Sequence, residues 1–155
     1  MRSFGGRGGW WVAAQISLIA LILIVPGPRF PPFPAMPGFY PLAGGLLLLS
    51  SLLILLSGAK SLSRALTPFP YPLDNATLVR EGLYRYVRHP LYLGVILGGL
   101  GVALWRMSLV SLGLSLVLAL FLNAKASREE IWLLAKYPGY ESYRRKTKKL
   151  IPFLY

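Results

Sequence analysis

The sequence predicts an all-α integral membrane protein with about four transmembrane helices, including a C-terminal helical hairpin that is followed by a short cytoplasmic helix. Three observations favour this fold class. Of the 155 residues, 55% are hydrophobic and only 14% are charged, a composition unlike that of a soluble domain. The hydrophobic residues fall into four runs separated by proline, glycine or charged residues. The basic residues lie almost entirely on one side of a four-span arrangement.

The first two apolar runs precede the charged part of the chain. Residues 10–25 are interrupted only by Gln15 and Ser17, and at about 1.5 Å per residue they span roughly 24 Å, enough for a short transmembrane helix. No small-residue cleavage site follows, so we expect an uncleaved helix rather than a signal peptide. The prolines of residues 26–41 forbid helix, and a leucine-rich second helix is predicted over residues 42–56.

The third and fourth apolar runs are predicted to form an antiparallel hairpin. They cover residues 91–105 and residues 107–121 or slightly beyond, and only a residue or two separates them. No longer crossing is available over so short a connection. Gly94 and Gly98 make a small-xxx-small face, which predicts that the two helices of the hairpin approach each other closely.

The charge distribution predicts how the helices are oriented. With four spans, the N-terminus, the loop of residues 57–90 and the C-terminal tail share one side of the membrane. Of the 17 basic residues, only Arg29 and Arg106 fall on the other side, as the positive-inside rule requires. We therefore expect a multi-pass protein with both termini in the cytoplasm.

Composition also limits the partners and cofactors. The formal charge of +12 is compatible with nucleic acid, but lysine and arginine in so apolar a chain more often contact anionic lipid headgroups. We therefore expect membrane lipids, and not nucleic acid, as partners. The chain has no cysteine and one histidine, which excludes disulfides, thiolate metal sites and multi-histidine metal centres. No metal site is predicted, and the oligomeric state is left open.

A dense polar motif marks the start of the third run. Residues 82–94 read GLYRYVRHPLYLG and hold the only histidine, His89, where a polar loop meets an apolar helix. The hairpin ascends from His89 and descends towards Glu129 and Glu130, so its topology brings the two motifs to one face. Together with Arg88 and tyrosines from both flanks, these groups are candidates for binding a charged ligand.

A structural interpretation stands beside this one. For Arg85, Tyr86 and the run RRKTKK, the favoured interpretation is an interface belt in which aromatic and basic side chains meet lipid headgroups. Glu129 and Glu130 also suit the first turn of a surface helix. For His89 and the glutamates, the residues alone leave both interpretations open.

At these residues the chain resembles the isoprenylcysteine carboxyl methyltransferase family and its relatives, the phospholipid N-methyltransferases. The resemblance covers roughly residues 64–155. It includes the RHPxY core from Arg88 to Tyr92 with Gly94, and the acidic pair Glu129 and Glu130. It also includes the approach LTPFPYPLDNATLVREG and the ending KYPGYESYRRKTKKLIPF.

The resemblance implies an integral membrane transferase that uses S-adenosylmethionine without a soluble Rossmann-like fold. The cofactor would lie on the cytoplasmic side, enclosed by the loop before the RHPxY helix and by the C-terminal segment. The candidate cofactor contacts are His89, Tyr92, Tyr86, Gly99, Gly101, Glu129, Glu130 and Tyr140. The catalytic candidates are Glu129, Glu130, Arg128 and Arg88. Gly99 and Gly101 resemble the GxG of the phospholipid enzymes, although their spacing alone favours helix packing.

The chemistry of methyl transfer agrees with these residues. S-adenosylmethionine carries a sulfonium, an ammonium and a carboxylate, for which acidic groups and hydrogen-bond donors are suitable. The reaction needs no covalent enzyme intermediate, so the protein mainly positions two reactants and excludes water. An acceptor carboxylate would require an arginine, Arg128 or Arg88, whereas an acceptor amine would require a base such as a glutamate. The implied substrate is a lipophilic small molecule or a prenylated one, and the residues do not choose between the two acceptors.

Two alternatives come from other classes. An NADPH-dependent sterol or enone reductase shares an RHxxY-like core and a similar ending, but is disfavoured by the few spans predicted here. A non-enzymatic protein that binds anionic lipid through its basic tail would use the polar cluster only as an anchor. Eukaryotic carboxyl methyltransferases carry additional N-terminal spans, so the resemblance does not carry over their prenyl-protein specificity.

The predicted organisation is a single membrane domain in four segments. Residues 1–58 hold two helices, residues 59–89 a cytoplasmic Pro-rich connector, residues 90–126 the hairpin and residues 127–155 a segment that caps the cofactor. Ser127 is expected to start a short helix as its N-cap. The alternative is one continuous helix from 107 to 137, which Pro138 and Gly139 would end.

Overall fold

The computed structural model describes residues 8–31, 36, 38–62, 67, 69, 71, 77–152 and 154–155. Over these residues the chain forms five α-helices and one 3₁₀ helix, with no β-strand. The α-helices are α1 (Gly9–Ile24), α2 (Phe39–Leu62), α3 (Pro90–Trp105), α4 (Leu109–Lys136) and α5 (Tyr140–Lys146), and the 3₁₀ helix is Gly82–Arg85. The all-α class is therefore as predicted. Much of the predicted connector, residues 63–66, 68, 70 and 72–76, lies outside the described residues.

Two helices have the length and composition needed to cross a membrane. These are α2, with 24 residues, and α4, with 28, while α1 and α3 are shorter apolar helices of 16 residues each. The outer face of α2 is apolar: its leucines Leu42, Leu46, Leu49, Leu53 and Leu56 are all more than half exposed. Continuous exposed apolar surface of this kind is typical of a face that contacts lipid.

Helix α1 packs antiparallel to α4. Near the start of α1, the Trp11 ring lies 5.2 Å from the Phe121 ring in the second half of α4. Near the end of α1, the Ile22 carbonyl accepts a 3.1 Å hydrogen bond from Ser111 Oγ in the first turn of α4. Ile22 is buried with Leu118 in the small apolar core between these helices.

Helix α2 packs antiparallel to α3, and glycines allow the close approach. A Cβ on Gly44 in the first half of α2 would lie 2.5 Å from the Trp105 amide nitrogen at the end of α3. At the other end of α2, a Cβ on Gly58 would lie 2.9 Å from Leu91. Successive helices among these four therefore alternate in direction. The starts of α1 and α3 lie on the same side as the ends of α2 and α4.

The small-residue face of α3 is present, but its predicted partner is wrong. A Cβ on Gly94 would meet Leu55 at 2.8 Å and one on Gly98 would meet Ser51 at 2.9 Å, so both glycines face α2 rather than α4. Ser51 Oγ also donates a 2.7 Å hydrogen bond to the Gly94 carbonyl. Spacing identifies a face on which backbones can approach, but it does not identify the neighbouring helix that approaches.

The start of the Pro-rich segment supports the turn between α3 and α4. The Phe30 amide donates to the Met107 carbonyl at 2.9 Å, and the Leu109 amide donates to the Pro28 carbonyl at 3.0 Å. Arg106 Nη1 donates at 2.6 Å to the Leu23 carbonyl at the end of α1, so a cation occupies the negative end of that helix. This part of the segment is structural, whereas residues 32–35 and 37 lie outside the described range.

The predicted helix start at Ser127 is wrong, and the continuous-helix alternative is confirmed. Ser127 lies within α4, where its Oγ donates at 3.1 Å to the Asn123 carbonyl one turn earlier. No proline or glycine interrupts residues 114–136, so the helix continues through a residue that would otherwise suit a cap. It ends just before Pro138 and Gly139, as predicted. The short C-terminal helix is α5, which begins later, at Tyr140.

We predict that adding one methyl group at Gly44 destabilises the protein. In Gly44→Ala the Cβ would overlap the backbone of α3, and such overpacking costs about 1–3 kcal/mol. Thermal unfolding in detergent measures the effect. Gly113→Ala is the matched control, because a Cβ there meets nothing within 4 Å and alanine favours helix by up to about 1 kcal/mol. Equal melting temperatures for the two variants would contradict the packing described here.

Candidate active site

The RHP motif is held by the C-terminal segment. The amides of Arg88 and His89 donate to the carbonyls of Lys148 and Lys149 at 2.8 and 3.1 Å, and the Lys148 amide donates back to the Tyr86 carbonyl at 3.1 Å. Val87 and Lys148 thus form an isolated parallel bridge. His89 caps the start of α3, where Pro90 occupies the first helical position, a position at which its missing N–H leaves no hydrogen bond unmade.

Glu130 links three parts of the chain. Its Oε1 accepts a hydrogen bond from Arg88 Nε at 2.7 Å and lies 3.3 Å from His89 Nε2. Its Oε2 lies 3.4 Å from Arg144 Nε in α5. The Glu130 side chain is 7% exposed and that of His89 is 5% exposed. Because both groups are buried, this cluster forms a connection between α3, α4 and α5 that water screens little.

Glu129 makes a separate set of contacts. Its Oε2 accepts a 2.8 Å hydrogen bond from the Tyr92 hydroxyl and lies 3.7 Å from His89 Nδ1. The His89 and Tyr92 rings are stacked, with centroids 5.3 Å apart and planes within 6°. The imidazole therefore has a carboxylate at each nitrogen, Glu130 on one side and Glu129 on the other. The topology argument that brought the two motifs to one face is confirmed by these distances.

A cavity opens beside Glu129. It lies between the ends of α2 and α4, the start of α3, residues 77–79 and helix α5. It encloses about 790 Å³ when the solvent at its mouth is counted. Five tyrosines line it: Tyr84, Tyr92, Tyr137, Tyr140 and Tyr143. Glu129 is the acidic residue among its described lining residues, and Leu78, Val79 and Leu133 add apolar wall.

The Tyr140 hydroxyl is buried and has no hydrogen-bond partner within the described part of the chain. The residue is 1% exposed, and buried hydroxyls are rarely left unpaired. The neighbouring Tyr143 hydroxyl, in contrast, donates a 2.6 Å hydrogen bond to the Tyr84 carbonyl. Tyr140 is thus a donor at the cavity that none of the described residues uses.

Burial strengthens the preference of these phenols for the neutral form, which tyrosine already has at neutral pH. It raises the pKa of Tyr84 and that of Tyr140 well above the ordinary value, and it raises the pKa of Tyr143 to about 12. At neutral pH each therefore remains a hydroxyl, which can donate a hydrogen bond and presents an uncharged ring.

The two predicted arginines have other roles. Arg88 lines the cavity, but its Nη1 donates to the carbonyls of Arg144, at 3.0 Å, and Thr147, in addition to its contact with Glu130. Arg128 is exposed on α4, where its guanidinium lies 5.5 Å from the centre of the Trp132 ring, and it does not line the cavity. Arg88 is therefore a structural link that also borders the cavity, whereas Arg128 lies away from it.

Four predicted cofactor contacts do not line the cavity: Glu130, whose carboxylate holds the cluster described above, and three other residues. A Cβ on Gly99 would meet Ser115 of α4 at 3.0 Å and one on Gly101 would meet the Gly44 carbonyl of α2 at 3.0 Å, so both glycines serve helix packing. Tyr86 is 54% exposed and borders a separate apolar pocket, as its interface interpretation suggested. The geometry therefore gives these three residues no contact with a ligand in the cavity.

Sequence reasoning did not identify every group near the site. Tyr137 lines the cavity but was not a candidate, whereas Tyr84 belongs to the polar motif and Tyr143 to the ending that carries the resemblance. Lys125 is 1% exposed and donates a 2.6 Å hydrogen bond to Gln15 Oε1. The sequence signal for this pair was a polar residue inside the first apolar run, Gln15, and a lysine just after the fourth run, Lys125.

The comparisons with known proteins agree with this geometry. The chain matches the family described as phospholipid methyltransferase over residues 40–139. It therefore belongs to the phospholipid methyltransferase family, and the resemblance found in the sequence is confirmed.

Two curated relatives match about half of the chain. Protein-S-isoprenylcysteine O-methyltransferase of Schizosaccharomyces pombe is 39% identical over 79 residues, which are 50% of this chain and 34% of that protein. The cobalt-zinc-cadmium resistance protein CzcN of Cupriavidus metallidurans is 38% identical over 81 residues, which are 52% of this chain and 38% of that protein. The chain thus spans little more than a third of either relative.

A solved structure shares the fold. The eukaryotic intramembrane Ras methyltransferase ICMT (isoprenylcysteine carboxyl methyltransferase), solved without a monobody, superposes with a TM-score of 0.69. The alignment covers 99% of this chain and 55% of that one at 16% identity. At this identity the likeness shows a common fold.

We predict that Glu130→Gln loosens the C-terminal segment. The substitution leaves Arg88 and His89 buried beside a neutral group, and breaking a buried ion cluster in this way costs about 3 kcal/mol or more. Hydrogen exchange of the amides of residues 140–150 in detergent should therefore accelerate at least 100-fold.

Glu141→Gln is the control for this prediction. Glu141 pairs with Arg145 at 3.3 Å, and both side chains are at least half exposed, so its loss should change stability by less than about 1 kcal/mol. Equal exchange rates in the two variants would show that Glu130 does not hold the segment.

Proposed function

We propose that the protein transfers a methyl group from S-adenosylmethionine to a carboxylate or an amine of a lipophilic substrate at the cytoplasmic face of the membrane. The observation that supports this most directly is the cavity of five tyrosines beside Glu129, in a chain of the phospholipid methyltransferase family. One carboxylate surrounded by aromatic rings suits a cationic ligand, because ring faces attract cations.

The cavity residues fit S-adenosylmethionine. Its sulfonium and ammonium match Glu129 and the tyrosine rings, and the unpartnered Tyr140 hydroxyl supplies a donor for its carboxylate or ribose oxygens. When bound, the cofactor supplies an electrophilic methyl group. We assign its binding to Glu129, Tyr92, Tyr140 and His89, and omit Glu130, the glycines and Tyr86.

The chain's own residues then perform three tasks. Glu129 provides fixed negative charge near the sulfonium, and the Tyr92 hydroxyl and His89 orient its carboxylate. Leu78, Val79 and Leu133 limit the access of water, which strengthens electrostatic interactions at the site. For an amine acceptor, a proton must leave the nitrogen, and Glu129 is the carboxylate that the described cavity offers as its base.

We further propose four spans with both termini in the cytoplasm. The alternating directions of α1 to α4 support this arrangement, as does the exposed leucine face of α2. Helix α4 has 28 residues, about 42 Å at 1.5 Å per residue. A hydrocarbon core of about 30 Å takes up roughly 20 of them. The end of α4, with Glu129 and Glu130, would therefore emerge at the headgroups, where a lipid-borne acceptor can reach the cavity.

We predict that Glu129→Gln abolishes methyl transfer without unfolding the protein. The test uses purified protein in detergent, methyl-labelled S-adenosylmethionine and a panel of prenylated thio-carboxylates and aminolipids. The rate should fall at least 100-fold, because the charge opposite the sulfonium is lost, while the melting temperature changes little. Labelling of neither substrate class by the wild type, together with binding of NADPH, would favour a reductase instead.

We predict opposite effects for two neighbouring tyrosines. Tyr140→Phe removes a hydroxyl that has no partner within the described chain, so stability should be unchanged or higher. The affinity for S-adenosylmethionine should fall about tenfold with the lost hydrogen bond. Tyr143→Phe removes the bond to the Tyr84 carbonyl and should instead lower stability by about 1 kcal/mol. Calorimetric titration and thermal unfolding separate the two effects. Unchanged affinity in Tyr140→Phe would place the cofactor elsewhere.

A further inference from the structure

A second cavity lies on the other side of Glu130 and is independent of the proposed reaction. We call it the C-terminal cleft. It lies between the last three turns of α4, helix α5 and residues 147–149, 154 and 155, and it encloses about 1240 Å³ when the solvent at its open mouth is counted. Four basic residues outside the RHP motif line it: Arg144, Arg145, Lys148 and Lys149.

Acidic groups in the C-terminal cleft do not balance this charge. Glu130 already faces Arg88 and His89 as well as Arg144, and Glu141 faces Arg145. Positive charge therefore remains in excess within the cleft.

Lys149 is the clearest sign of this excess. It is 8% exposed, and its Nζ donates to Asn123 Oδ1 and Ser127 Oγ at 2.6 Å each and to the Asn123 carbonyl at 3.1 Å. All three acceptors are neutral, and no carboxylate among the described residues lies within 4 Å of it. A buried ammonium without a counter-ion is costly, so an anion in the cleft would lower the free energy of the folded state.

Part of the rim of the cleft is apolar. Ile131 is 55% exposed, Leu134 is 36% exposed and Leu154 is 77% exposed, and all three border the cleft. In the four-span arrangement these residues lie where α4 passes the end of the hydrocarbon core, at the depth of lipid headgroups. Basic residues in the cleft and apolar residues along part of its rim, at this depth, match a molecule that has an anionic head and hydrocarbon chains.

We infer that the C-terminal cleft binds an anionic phospholipid of the cytoplasmic leaflet, with the phosphate between Arg145 and Lys148. Lys148 is exposed, so its ammonium can reach a phosphate at the mouth. Lys149 contributes its charge from below, because its hydrogen bonds are already made. This is a discrete site built by α4 and the C-terminal segment, which distinguishes it from a diffuse basic belt.

The test measures lipid binding to the full chain by native mass spectrometry. Micelles are supplemented with phosphatidylglycerol or with phosphatidylcholine, and the retained lipid is counted. We expect phosphatidylglycerol to be retained preferentially. Arg145→Gln combined with Lys148→Gln should weaken its binding about 10- to 30-fold, since each basic residue near a membrane surface contributes about fivefold. Lys149 is left unchanged because its loss would also remove bonds to α4.

Two matched variants and a competitor decide the outcome. Lys60→Gln with Arg85→Gln removes the same charge from exposed positions outside the cleft, and should change binding by less than twofold. Arg145→Lys with Lys148→Arg should bind like the wild type. An equal loss in the Lys60 and Arg85 variant would show diffuse attraction, and equal retention of the two lipids would exclude a selective site. Displacement of the lipid by millimolar glycerol phosphate would show a site for soluble phosphate esters. Each of these three results would overturn the proposal.

Discussion

The buried cluster around Glu130 is the constraint on which the rest of the site depends. One carboxylate holds Arg88 and His89 at the start of α3 and Arg144 in α5. Arg88 and His89 precede the glutamate by more than 40 residues, and Arg144 follows it by 14. The guanidinium of Arg88 also fastens the C-terminal segment through the carbonyls of Arg144 and Thr147. This cluster holds Tyr140 and Tyr143 beside the cavity together with the hydrogen bond from Tyr143 to the Tyr84 carbonyl.

The two adjacent glutamates serve different sides of one helix. Consecutive residues on an α-helix point about 100° apart, so Glu129 faces the tyrosine-lined cavity while Glu130 faces the C-terminal cleft. His89 lies between them and contacts both. The same short stretch of α4 thus supplies an acidic group to the proposed cofactor site and a structural link to the segment that encloses it. This division of roles explains why an acidic pair, rather than one acidic residue, is useful at this position.

Sequence reasoning found the all-α class, the helices and the convergence of His89 with the glutamates, because the apolar runs and the short α3–α4 connection determine these features locally. It did not find the partner of the Gly94 and Gly98 face, since a small-residue pattern is a property of one helix and the approach of α2 is a property of the assembled fold. Ser127 was misread for a similar reason. Its preference for a cap is weak beside the continuation of a helix that packs along α1 and α3. The roles of Arg88 and Tyr140 depend on distances across the fold and could not be predicted from spacing.

The most direct test of the account is an experimental structure of the protein with S-adenosylmethionine in detergent or nanodiscs. We expect density for the cofactor in the cavity, with a cationic group near the Glu129 carboxylate and a polar atom within hydrogen-bond distance of the Tyr140 hydroxyl. Density for the cofactor in the C-terminal cleft beyond Glu130, or beside Gly99 and Gly101 within the helices, would contradict the assignment of the site.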